Sequence, residues 1–142
     1  MRLSPHFDLS EFTESMTVRE RGILNDPGPS ELQNLIDLCH EVLEPLRAIL
    51  ACTITISSGY RCLKLNRAVG SKDDSQHVKG QAADIKVPGM TPKEVFEKIG
   101  SGIPFDQCIL EPTWVHISWS PEPRRQKLVR KNVDGETVYL RA

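Results

Sequence analysis

Ser75-Gln-His77-Val-Lys-Gly80-Gln-Ala82-Ala-Asp84 is the stretch that decides how this chain is read. It sets an imidazole and a carboxylate seven positions apart, with a glycine between them where the chain can turn sharply. From Gln81 the run Gln-Ala-Ala-Asp-Ile-Lys-Val87 reads as a strand, stopped by Pro88-Gly89. Ala82 and Asp84 fall on one face of that strand. A small side chain beside the carboxylate leaves room for a ligand. Upstream, Ser71 to Gln76 is a polar loop leading into the motif.

Further along, a second histidine, His116, lies inside Trp114-Val-His-Ile-Ser118. Two imidazoles and one carboxylate are a ligand set for catalytic zinc, with a fourth position left for water. The ion keeps a net charge of about +1 in such a set and lowers the pKa of its water toward ~7. His77, Asp84 and His116 are therefore the candidate metal ligands, and Zn²⁺ is the expected cofactor.

The candidate base follows from strand pairing. Phe105 to Glu111 and Trp114 to Trp119 read as two strands around Pro112-Thr113. With a two-residue turn, Glu111 pairs with Trp114 and Ile109 with His116. Glu111 and His116 then project from one face as diagonal neighbours, roughly 7 Å apart at the backbone. Asp106 falls on the opposite face, so Glu111 is chosen as general base. Arg61 follows a strand and the Ser58-Gly-Tyr turn. Its guanidinium can hold a substrate carboxylate through two parallel hydrogen bonds. Trp114, on the His116 face, can border a substrate groove.

Around these residues the chain has ordinary punctuation. Its 142 residues suit one domain, 1–142, with 1–29 as an N-terminal extension packing on it and 120–142 as a C-terminal hairpin. Ser10 to Arg21 has room for one or two short helices. Ser30 and Gln33 form a potential capping box for a helix with the stripe Leu32, Leu35, Ile36, Cys39, Val42, Leu43, Leu46. Pro45 should kink that helix near its end. His40 lies at its polar boundary and is set aside as a ligand. Thr53 to Ser57 alternates as a strand. Thr91-Pro-Lys-Glu94 opens another helix. Lys127 to Lys131 and Glu136 to Leu140 form a hairpin around Asp134-Gly135. Helices precede strands with short helical insertions, which favours α+β with a mainly antiparallel sheet.

Composition excludes several classes. Eighteen basic residues against nineteen acidic leave a net charge of −1, so no global field draws the chain to nucleic acid. Arg124, Arg125, Lys127, Arg130 and Lys131 bunch locally and read as a solvated strand and loop. The four cysteines, 39, 52, 62 and 108, contain no C-x-x-C pair, so no thiolate zinc site or disulfide framework is expected. No run is long enough to span a bilayer. The N-terminal residues lack a signal-peptide core, and the chain is expected in the cytoplasm on synthesis.

Ser58-Gly-Tyr-Arg61, Ser75-x-His77-x-x-Gly80-x-Ala82-x-Asp84 and Trp114-Val-His116 occur here in that order. In this the chain resembles the zinc D-Ala-D-Ala carboxypeptidases and L-Ala-D-Glu endopeptidases of peptidoglycan, which share the hedgehog/DD-peptidase fold. Phe7-x-Leu9-x-Glu11 and Asn66 are similar to the branch found in phage endolysins and related bacterial proteins. The resemblance spans about residues 7–119. It implies zinc on His77, Asp84 and His116, a substrate-gripping Arg61, and a peptidoglycan peptide as substrate. Ser75 and Trp114 are expected to border that substrate. Many relatives carry the catalytic acid three residues before the last histidine, where this chain has Thr113. Glu111 is the nearest acid.

The expected function is a zinc peptidase acting on the peptidoglycan stem in a lysin-like role, released or exported to the wall, without membrane insertion and as a monomer. The rival reading, kept open by Thr113, is a non-catalytic, metal-containing module that docks on the cell wall or a virion. A nucleic-acid binder built on the basic segment is the weakest of the three, since no motif for it is present.

Overall fold

A computed structural model describes residues 1–142. The chain opens with a two-stranded antiparallel hairpin, β1 (Arg2–Ser4) and β2 (Phe7–Asp8). Asp8 then caps α1 (Leu9–Thr13) in a capping box with Glu11. Ser15 caps α2 (Met16–Arg21), which ends on Gly22 in the left-handed conformation. Residues 1–29 are thus more ordered than their polar composition suggests. Leu3, Phe7, Phe12 and Ile23 are buried.

The third helix, α3 (Pro29–Leu38), starts before the expected Ser30 cap. Gly28 is the N-cap, and no side chain caps the helix. Pro29 supplies the reason. Its fixed φ is already helical and its missing N–H costs nothing in the first turn. A π-helical turn, Cys39–Leu43, joins α3 to α4 (Glu44–Leu50). There the Glu44 N–H bonds to the Cys39 carbonyl, one residue before Pro45. Pro45 has no N–H to offer and its ring crowds the preceding turn, so the widened turn replaces the kink expected further on.

The remaining elements are β3 (Thr55–Ser58), α5 (Leu63–Ala68), β4 (Ala82–Lys86), α6 (Pro92–Lys98), β5 (Gln107–Leu110), β6 (Val115–Ser118), β7 (Gln126–Val133) and β8 (Glu136–Arg141). The fold is α+β. Six strands form one sheet in the order β3-β4-β6-β5-β7-β8. Every neighbouring pair is antiparallel except β5 with β7. The β7–β8 turn has positive φ at Asp134 and Gly135, as a type I′ hairpin requires.

Strand alternation gives the sheet two chemically different faces. Ala83, Ile85, Cys108, Val115 and Ile117 point to one side. They share a hydrophobic cluster of 23 buried residues with Leu35, Leu38, Val42, Leu43 and Leu46 of the helices. Asp84 and His116 point to the other side. No helix is long and apolar enough to cross a membrane.

Candidate metal centre

Asp84 and His116 meet because β4 and β6 pair in register, Asp84 opposite His116. Directly opposed residues of an antiparallel pair share a face. His77 reaches them from the loop that precedes β4. That loop turns through hydrogen bonds from Val78 N–H to the Ser75 carbonyl and from Gly80 N–H to the His77 carbonyl. Gly80 has φ +72°, and a Cβ there would stand 2.4 Å from the Glu31 carbonyl oxygen. Only glycine permits both this conformation and this approach to α3. Asn34 of α3 fastens the loop by donating to the Lys79 carbonyl at 2.8 Å. The motif's spacing therefore has a cause: one glycine seats the loop on a helix, and the next strand returns beneath it.

The Asp84 Oδ1 lies 3.1 Å from His116 Nδ1 and 3.3 Å from His77 Nε2. The three ligand atoms all lie within 4.8 Å of one another. Ligands about 2.1 Å from one tetrahedral ion are roughly 3.4 Å apart, so the donor set fits a metal. A further observation supports the fit. His77 Nδ1 is 2.7 Å from the Gly59 carbonyl. A carbonyl can only accept, so Nδ1 carries the proton and Nε2 turns its lone pair to the cluster. Gly59 is itself pressed against Phe12, where a Cβ would meet the ring and backbone at 2.7 Å.

The charge states also suit a cation. Burial pushes the His77 imidazole below its ordinary pKa, with Asp84 pulling the other way. Burial opposes ionisation of Asp84, but the His116 and His77 imidazoles beside it outweigh burial and hold the carboxyl below the usual range. Neutral imidazole and ionised carboxylate are the forms that bind metal.

The cluster opens into a cavity of about 580 Å³. Arg61, Ser75, Glu111 and Trp114 all border it. Ser75 Oγ accepts from the His77 N–H at 3.3 Å. The Arg61 N–H donates to the His77 carbonyl at 3.1 Å, while its buried Nε has no protein partner. Burial lowers the guanidinium's pKa and Asp84 raises it.

The expected hairpin register is observed. Ile109 pairs with His116, and the Glu111 N–H donates to the Trp114 carbonyl at 3.1 Å. Neither Pro112 nor Thr113 has a positive φ, so the register holds without a primed turn. Glu111 is buried, which raises its pKa, while Arg130 and His116 oppose the shift.

Two expectations need correction. Ala82 shares the Asp84 face but is fully buried and does not border the cavity, so it makes no room for a ligand. Thr113 lines a separate apolar recess of about 350 Å³ with Val87, Met90 and Val95. That recess holds none of the metal-centre residues. The basic run is not simply solvated. Arg124 forks onto Asp106, Lys127 donates to the Phe96 and Ile99 carbonyls at the end of α6, and Arg130 meets Glu111. Asp106 accepts from both Arg124 and Gln76 and lies outside the cavity.

Two contributors were not read from the sequence. The Gly59 carbonyl has no side-chain signature, and Tyr139, which borders the cavity from β8, sits in an ordinary strand pattern. Asn25 has a similar status. It donates to the Thr13 and Tyr60 carbonyls and accepts from the Cys62 N–H, fixing the turn that carries Arg61.

No curated protein matches the chain. The family model described as peptidase M15 matches residues 5–118, from the first hairpin to the end of β6. That span holds the whole His-Asp-His cluster and most of the chain, which therefore belongs to the peptidase M15 family and is a metallopeptidase.

Proposed function

We propose that this chain is a zinc peptidase that hydrolyses a peptide bond in the peptidoglycan stem, of the D-Ala-D-Ala carboxypeptidase or endopeptidase type, on a hedgehog/DD-peptidase-like fold. One observation carries the reading. The His77, Asp84 and His116 ligand atoms converge in a cavity that also receives a buried carboxylate and a guanidinium with a free donor.

His77 Nε2, Asp84 Oδ1 and His116 Nδ1 would hold the zinc ion. When bound, Zn²⁺ supplies a Lewis acid that lowers the pKa of water and polarises the scissile carbonyl. The chain's own residues do the rest. Glu111 takes a proton from the attacking water at a carboxylate oxygen and delivers it to the leaving amine. Its buried setting raises its basicity toward the range useful near neutral pH. Arg61 donates to a substrate carboxylate and fixes the scissile bond over the cluster, which is alignment rather than chemistry. Ser75 orients the His77 loop and, with Trp114, borders the bound peptide. The predominantly polar and charged lining suits a hydrophilic peptide. In this proposal the protein is made in the cytoplasm, reaches the wall by release or export as a phage lysin does, and works as a monomer without nucleic-acid or membrane partners.

The test is digestion of purified sacculi by zinc-loaded protein, followed by mass spectrometry of the released fragments. New amino and carboxyl termini within the stem peptide are expected, and their identity names the bond. Intact sacculi in the presence of stoichiometric zinc would favour a non-catalytic wall-binding or virion module instead.

A further inference from the structure

Glu111 lies at the seam between the family-matched residues 5–118 and the C-terminal hairpin of β7 and β8. The parallel pairing of β5 with β7 sets Leu110 beside Val129, so the next positions are Glu111 and Arg130. Arg130 Nη1 stands 3.4 Å from Glu111 Oε2. Across the hairpin Arg130 pairs with Tyr139, which borders the same cavity. Exposed ion pairs of this kind have little effect. This one is different, because the Glu111 side chain is 8% exposed and that of Arg130 33%.

We infer that Arg130 is a positioning residue: from a hairpin outside the family match, it aims the Glu111 carboxylate into the cavity. The inference rests on the reading of Glu111 as proton acceptor. Glu111 lies between the end of β5 and the Pro112-Thr113 turn, and among side chains its one hydrogen bond is to Arg130. Without that contact, a carboxylate on two flexible methylenes can rotate away from the cluster. The charged and titratable groups around it are Arg130 from β7, Tyr139 from β8, His116 and Asp84 across the sheet, and Lys93 and Lys131, which line a neighbouring recess with Glu111 and Arg130. Arg130 is the cation in direct contact.

The experiment compares zinc-loaded wild type, Arg130→Ala, Arg130→Lys and Glu111→Gln on stem peptides cut from purified sacculi. Melting temperature and zinc stoichiometry are measured for each variant. Arg130→Ala is expected to lower kcat about 10-fold to 10²-fold with KM little changed. It should also move the acidic limb of kcat/KM to higher pH, because the base loses its neighbouring cation. Arg130→Lys should return the limb toward its wild-type position. Carbon-13 NMR titration of the Glu111 carboxyl in the zinc-loaded protein reads the same change without turnover, and its midpoint should rise in Arg130→Ala. An unmoved limb and an unmoved midpoint overturn the inference. So does a loss of kcat that is uniform with pH and not rescued by lysine. Full turnover by Glu111→Gln would instead remove the proton-acceptor reading on which the inference stands.

Discussion

The two faces of the sheet use adjacent residues for opposite purposes. On β4, Ala83 and Ile85 are fully buried against the helical layer, while Asp84 between them points into the polar cavity. On β6, Val115 and Ile117 flank His116 in the same way. The helix-covered face buries apolar surface at about 25 cal/mol per Å², a non-directional gain that tolerates small shifts. The open face brings three metal-ligating groups within 4.8 Å, which depends on direction. A one-residue slip of register would exchange the two sets. Apolar burial on one face therefore fixes, through the pleat, where the ligands stand on the other.

Substitutions on each face should accordingly fail in different ways. The largest effect is expected at His77→Ala. Removing one of three ligands should abolish stoichiometric zinc binding and stem-peptide hydrolysis, while circular dichroism stays native. Hydrolysis at the wild-type rate by this variant would break the division of labour between the faces. Glu111→Gln comes next. It should keep zinc, measured by atomic absorption, and lose ~10²-fold or more in kcat. On the covered face, Ile117→Ala should leave a cavity in the core and lower unfolding free energy by about 2–5 kcal/mol, read from urea denaturation. It should retain zinc and most of its activity below the new melting temperature. Loss of zinc from a folded Ile117→Ala protein would show that the two faces are more tightly coupled than the pleat requires.

Local signals in the sequence carried much of this architecture. Alternation marked β3, runs bounded by turn residues marked β4 and β6, the Thr91–Glu94 start signal marked α6, and Asp134-Gly135 marked the last turn. Each of these depends on near neighbours. The Ser30 cap failed because two local preferences competed and Pro29, which is already helical in φ, moved the start earlier. The parallel β5–β7 pair left no trace, since its partners are joined through β6 and a loop rather than a turn. For the same reason the basic run was legible as charge but not as contacts. Lys127 ends up under α6 and Arg130 beside Glu111 only once β7 lies along β5. At the metal centre, the ligand types and their glycine were legible in one motif. The Gly59 carbonyl was not, because a backbone oxygen is the same in every residue.

Asp106 and Glu111, the two buried acids at either end of β5, sharpen the comparison with the smallest expected effect. Glu111 faces the cavity with one side-chain partner, Arg130 at 3.4 Å. Asp106 accepts from the Arg124 N–H at 2.8 Å, from Arg124 Nε at 3.0 Å and Nη2 at 2.7 Å, and from Gln76 at 2.8 Å. Burial alone would raise its pKa, yet these donors bring it from 3.8 to about 2. The folded state thus prefers the ionised form. That preference contributes about 2 kcal/mol, fully present above about pH 5 and lost as pH falls through about 2. Because the Arg124 side chain is 56% exposed, solvent and salt screening should bring the measured value below that figure. Urea unfolding at several pH values should show wild-type stability falling between pH 5 and pH 2. Asp106→Asn should start lower and fall less steeply, because asparagine has no proton to gain. Equal slopes for the two proteins would mean that another carboxylate carries the acid sensitivity. Since Gln76 precedes His77 in the chain, the same loss of Asp106 should loosen the metal loop only slightly. Gly80 and Asn34 still hold that loop to α3 from its other end.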